Sequence, residues 1–153
     1  HSENRSEGET NHLLKSKIKA ALSENLSVIF CIGETYKEKK TGQTFSILKK
    51  QIRESVEKSF NLRRIILAYE PVWSIGTNKI PKMHELQKTM KFIKEEFKKH
   101  FKTKKNPLTL YGGSVNSKNI TLFTSITEID GFLIGGASQS SKKFIDIIKN
   151  YYK

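Results

Sequence analysis

Four short apolar runs, none of them alternating with polar residues, constrain this chain more than anything else in it. They are "SVIFCIG" at 27–33, "RIILAYE" at 64–70, "LTLYGG" at 108–113 and "GFLIGG" at 131–136. A strand with one wet face alternates apolar and polar residues, whereas an unbroken apolar run belongs to a buried strand. Between the runs the apolar spacing changes to that of helices. Leu14, Ile18, Ala21 and Leu22 share one helical face, Phe45, Leu48, Ile52 and Val56 a second, and Leu86, Met90, Ile93 and Phe97 a third. Shorter helices are predicted over 116–123 and 140–151. Strands that each feed a helix form a parallel sheet covered by helices, the α/β class. Four strands suit a small open sheet or part of a barrel, and the pattern alone does not choose.

At 153 residues the chain suits one domain, expected to span 1–153. Hydrophobic residues at 36% are enough for a core. One cysteine, Cys31, excludes an internal disulfide and suits a reducing, cytoplasmic setting. No run is long enough for a membrane helix, so no membrane partner is expected, and no signal peptide either. The chain starts at His1 rather than methionine, as a processed product or a fragment would. The net charge of +13 comes from 24 lysines and only four arginines against 15 acids. That is a lysine-rich solvated surface, and no nucleic-acid motif accompanies it. The densest basic run, "KKHFKTKK" at 98–105, falls where a helix ends and cations are favoured. Nucleic acid is therefore not expected as a partner.

In parallel α/β folds chemistry gathers at the C-terminal ends of strands. Glu34 follows the first strand and Glu70 ends the second. A carboxylate at a dry strand mouth, followed by rigid Pro71, should have a raised pKa suited to base chemistry. The last two strands end in "GGS" at 112–114 and "GGAS" at 135–138. Paired glycines between strand and helix let backbone N–H groups converge on an anion, and Ser114 adds a hydroxyl. Two such turns on successive final strands match the phosphate site of a (β/α)8 barrel. Cys31, inside an apolar strand, reads as a packed, inert thiol. His12, His84 and His100 have no second ligand at metal spacing, so no metal site is expected.

"HSENR", "CIGE", "AYEPVWSIGT", "YGGSV" and "GFLIGGAS", in this order, resemble the C-terminal part of the triosephosphate isomerases over essentially the whole chain. The resemblance implies a (β/α)8 TIM barrel, of which these residues supply roughly the C-terminal half. It implies interconversion of dihydroxyacetone phosphate and glyceraldehyde 3-phosphate through an enediolate, in glycolysis and gluconeogenesis, with no cofactor and no metal. Carried over by position, Glu70 resembles the catalytic base, His1 the neutral electrophile and Glu3 a supporting acid. Gly76, Ser114, Gly135 and Gly136 resemble the substrate-phosphate positions. Residues 71–79 resemble a lid: Pro71, Val72 and Trp73 one hinge, 74–76 the tip, 77–79 the other hinge. The full-length form would be a cytoplasmic homodimer acting on a small phosphorylated triose.

The match has departures. Asn78 stands where the family usually has glycine, which asparagine's tolerance of positive φ makes acceptable. Ser74 replaces a common alanine, and Gln139 the usual leucine. No residue here matches the family's Asn-x-Lys element on strand one or its long third loop, so residues 1–153 alone are expected to be inactive. The alternatives are another phosphate-binding barrel enzyme and a stand-alone phosphate-binding half-barrel.

Overall fold

The computed structural model describes residues 1–152. Lys153, the last residue of the expected domain, lies outside the described residues. The elements are α1 (Ser2–Ser6), α2 (Asn11–Ser23), β1 (Val28–Ile32), α3 (Tyr36–Lys40), α4 (Thr44–Ser55), β2 (Ile65–Tyr69), α5 (Met83–Phe101), β3 (Leu108–Tyr111), β4 (Gly131–Phe132) and α6 (Ser141–Tyr151). Short 3-10 turns at Leu62–Arg64, Val72–Ser74, Ile120–Phe123 and Gly136–Gln139 complete them.

All four strands pair in parallel and in chain order, β1-β2-β3-β4. The register sets residues in rows across the sheet. Phe30, Leu67 and Thr109 form one row and are buried beneath the helices. Leu14, Ile18, Leu48, Ile52, Leu86, Met90, Ile93 and Phe97 supply the helical side of that core. The neighbouring row, Ile29, Ile66 and Leu108, points the other way, and Ile29 is 48% and Leu108 55% exposed. The apolar runs thus correctly signal strands, but helices cover only one face. The reason is topological. Right-handed crossovers that always step in the same direction place every helix on the same side of the sheet. An open sheet with both faces covered would need a reversal of strand order, and the described strands have none.

Polar ties fix the helices over that face. Arg53 Nε lies 2.6 Å from Glu96 Oε1, joining α4 to α5. Lys94 of α5 lies 2.9 Å from Asp130 Oδ2, which also accepts the Thr109 N–H at 2.7 Å. The long helix α5 ends at Lys102 in the left-handed conformation, φ +52°, inside the basic run. Two expectations shrink. The predicted helix over 116–123 is a 3-10 turn from Ile120, because Asn116 and Asn119 bond nearby backbone instead. The fourth strand pairs only at Gly131 and Phe132. Two helices, α1 and α3, were not anticipated.

Candidate active site

The sheet's C-terminal edge is built around Glu70, the residue after β2. Its N–H donates to Ile32 O at 2.8 Å, which continues the ladder one step past the strands. The two chains then come so close that a Cβ on Gly33 would stand 1.9 Å from Glu70 O. Gln51, reaching up from α4, holds Gly33 with its side-chain amide, accepting the Gly33 N–H at 2.9 Å and donating to Gly33 O at 3.0 Å. The Glu70 carboxyl group lies against Gly112, where a Cβ would stand 2.8 Å from Cγ and 2.9 Å from Oε1. Glycine at 112 therefore makes the slot that the carboxyl occupies. Burial of Glu70 raises its pKa, as expected for an acid in a dry mouth, with the Cys31 thiol beside it pulling weakly the other way. Its Oε2 is buried and has no hydrogen-bond partner.

His1 caps α1. Its Nδ1 accepts the Glu3 N–H at 3.3 Å, and its Nε2 lies 3.4 Å from Glu70 Oε1. A ring nitrogen that accepts from the backbone carries no proton, which leaves Nε2, the atom facing Glu70, as the ring's N–H. Glu3 takes part through that backbone N–H, while its carboxylate is 80% exposed.

Pro71 starts the segment that follows. The turn Val72–Ser74 leads to Gly76, at φ +66°, and Asn78, at φ +59°. Asn78 thus takes the left-handed conformation that asparagine tolerates. Ser114, from the turn after β3, ties the segment down: its Oγ donates to Ser74 O at 2.5 Å and accepts the Asn78 N–H at 3.0 Å. Ser74 Oγ in turn donates to Lys79 O at 2.5 Å and lies 3.4 Å from the Tyr111 hydroxyl. Gly113 permits this crowding, since a Cβ there would stand 2.3 Å from the Tyr111 hydroxyl oxygen. Gly135 and Gly136, after β4, are exposed, and an added Cβ at either would meet no protein atom within 4 Å.

The residues singled out in the sequence thus fall into two groups. His1 meets Glu70 directly, and Ser114 is bonded into the same segment as Gly76. Gly135 and Gly136 stand on the fourth strand's turn, outside these bonds. Sequence reasoning missed four supports. Gln51 gives no signal, because its contact spans 18 residues. Gly112 reads as one of an anion-binding glycine pair and Gly33 as the end of a strand run, although each makes room for Glu70. Glu34 stands out only as the residue after the first strand, yet it is buried and accepts from Trp73 Nε1 at 2.9 Å and the Tyr69 hydroxyl at 3.1 Å. Burial raises its pKa, and those two donors oppose the rise. Among the described residues, no group of three or more His, Cys, Asp or Glu side chains could hold a metal ion.

The family model described as triosephosphate isomerase matches residues 1–151. A relative named triosephosphate isomerase from Dictyoglomus thermophilum is 40% identical, over 98% of this chain and 62% of its own length. One of the same name from Dehalococcoides mccartyi is 42% identical, over 97% of this chain and 60% of its own. The crystal structure of triosephosphate isomerase from Bartonella henselae superposes with a TM-score of 0.88 at 31% identity, covering 100% of this chain and 62% of that one. This chain spans about three fifths of the length of the curated relatives it matches. Its four parallel strands have the α/β architecture of the C-terminal half of a TIM barrel.

Proposed function

This chain belongs to the triosephosphate isomerase family, and we propose that it carries the acid–base half of a site interconverting dihydroxyacetone phosphate and glyceraldehyde 3-phosphate. The observation that carries this reading is the His1–Glu70 pair. A buried carboxyl group with a raised pKa places one oxygen 3.4 Å from a histidine N–H and leaves the other without a partner. Glu70 takes a proton from the carbon beside the substrate carbonyl. The Nε2–H of His1 polarises that carbonyl oxygen as the enediolate forms, and Glu70 returns the proton to the neighbouring carbon. The electrons stay within the substrate, so this route needs no redox cofactor and no metal. Gly76, Ser114, Gly135 and Gly136 supply donors to the substrate phosphate, and Glu3 supports His1. Residues 71–79 form a lid that keeps water from the intermediate.

Residues 1–153 act in this reading as the C-terminal part of one barrel domain, in a cytoplasmic homodimer. The lone cysteine suits a reducing compartment. The test is a chimera in which this chain replaces the matching 62% of the Bartonella henselae enzyme. The chimera is expected to isomerise. Glu70→Gln in it is expected to lower kcat about 10²–10⁴-fold with little change in KM. A Glu70→Gln chimera within a factor of two of its parent removes Glu70 from the role of base.

A further inference from the structure

The side chain of Trp73, the chain's one tryptophan, is held at two places. Its ring N–H is bonded to buried Glu34. Its ring face is covered by a cation: Lys39 Nζ lies 4.2 Å from the ring centroid. Lys39 is not a loose surface lysine. It stands in the last turn of α3, a helix whose position is set by the Thr35–Glu38 capping box immediately after Glu34. Its ammonium is also anchored from the far side, 2.9 Å from Glu85 Oε2 in the first turn of α5. Lys39 and Glu85, in contact, both line a cleft of about 270 Å³ that Glu34, Tyr69 and Thr89 also line. The ion pair bridges this gap, which side-chain packing does not fill.

We propose that Lys39 is a positioning residue that latches the lid: anchored by Glu85, its ammonium clamps the face of Trp73 and holds the Val72–Ser74 hinge in its docked place. The chemistry needs all three members. The attraction of an ammonium for an indole face is modest at a half-exposed site. Alone, a lysine side chain would spend much of its time elsewhere, since ordering it costs rotamer entropy. Glu85 fixes the ammonium where the indole can use it. Freed from the latch, the Trp73 ring keeps only its edge bond to Glu34, about which it can swing. The hinge would then release more often while the rest of the sheet end stayed intact. The inference rests on reading residues 71–79 as a lid, but its test does not use turnover, so the two can fail separately.

The test follows Trp73 fluorescence in the chain itself, with acrylamide as quencher and circular dichroism as a check on folding. Losing one cation–π contact should shift the hinge equilibrium about two- to fivefold. Lys39→Met is therefore expected to raise the quenching constant toward that of free indole, and Lys39→Arg, which keeps a cation over the ring, to restore the wild-type value. Glu85→Gln leaves Lys39 in place without its anchor and should fall between the two. Salt near 1 M should move the wild type toward Glu85→Gln, because this ion pair is partly exposed and is screened. Equal quenching in wild type and Lys39→Met overturns the latch, and so do Met and Arg variants that behave alike. If Lys39→Met fails to fold, Glu85→Gln decides on its own: quenching unchanged from wild type overturns the proposal.

Discussion

The ends of β2 and β4 open on the same side of the sheet, yet they are built in opposite ways. Beyond β2 the chain is wired into its neighbours: Gly33 presses on Glu70, Gln51 grips Gly33, Ser114 bonds Ser74 and Asn78, and Glu34 holds Trp73. Beyond β4 the Gly135–Gly136 turn stands free, with space around both residues. The difference matches what each end is proposed to present. A base must offer one side-chain atom at a fixed point, which takes tertiary contacts. An anion cradle offers backbone N–H groups, which need only bare, accessible chain.

The same substitution at the two ends should expose the contrast most sharply. Gly33→Ala forces a Cβ into the Glu70 carbonyl, so β1 and β2 must separate. The expected loss is about 3 kcal/mol in urea unfolding. Gly135→Ala meets nothing and should change stability by less than about 0.5 kcal/mol. Similar losses at both sites would erase the distinction between a packed and an open end.

Next in size is the effect of Gly135→Val on binding. Because this site is open in the folded chain, a larger residue leaves the packing alone and obstructs only an incoming anion. Blocking one charge-assisted contact should weaken binding of inorganic phosphate about tenfold, read from phosphorus resonance shifts. Unchanged binding in the folded variant would make this glycine pair an ordinary turn.

The smallest expected effect concerns pH. Glu70 has a raised pKa in the folded state, so between its unfolded and folded values the native chain binds more protons than the unfolded one. Its contribution favours folding at low pH and is lost as pH rises through the folded pKa. Stability of wild type relative to Glu70→Gln should therefore fall as pH rises from the ordinary carboxylate range, and then level off. Glu34 shifts in the same direction and remains in both proteins, so the difference isolates Glu70. A flat difference would mean that Glu70 is not held in a dry place.

Particular residues show why the sequence revealed some of this and not the rest. The strand runs and the Leu86–Phe97 spacing located β1, β2, β3 and α5, because burial and periodicity are written in local residue types. The capping box Thr35–Glu38 was equally readable as a signal for α3 and was passed over. The helix expected over 116–123 failed because Asn116 and Asn119 compete for backbone partners, an outcome that apolar spacing does not register. The fourth strand is short because only Gly131 and Phe132 find partners on β3, and pairing is a property of two segments. At the site, Glu70 stood out through its setting at a strand end. Gln51 and the slot at Gly112 did not, since both exist only once distant segments meet.

Cys31 sits under this arrangement, buried, with its thiol pushed up to about 12 by burial and by the neighbouring Glu70 carboxylate. At neutral pH such a thiol is almost wholly protonated. A thiol reagent therefore finds almost nothing to react with while the sheet end is shut. Because the chain has a single cysteine, every labelling event records an opening at that one place. The slow modification of Cys31 is in effect a clock running inside the molecule, and its ticks count how often the cover over this thiol lifts beside Glu70.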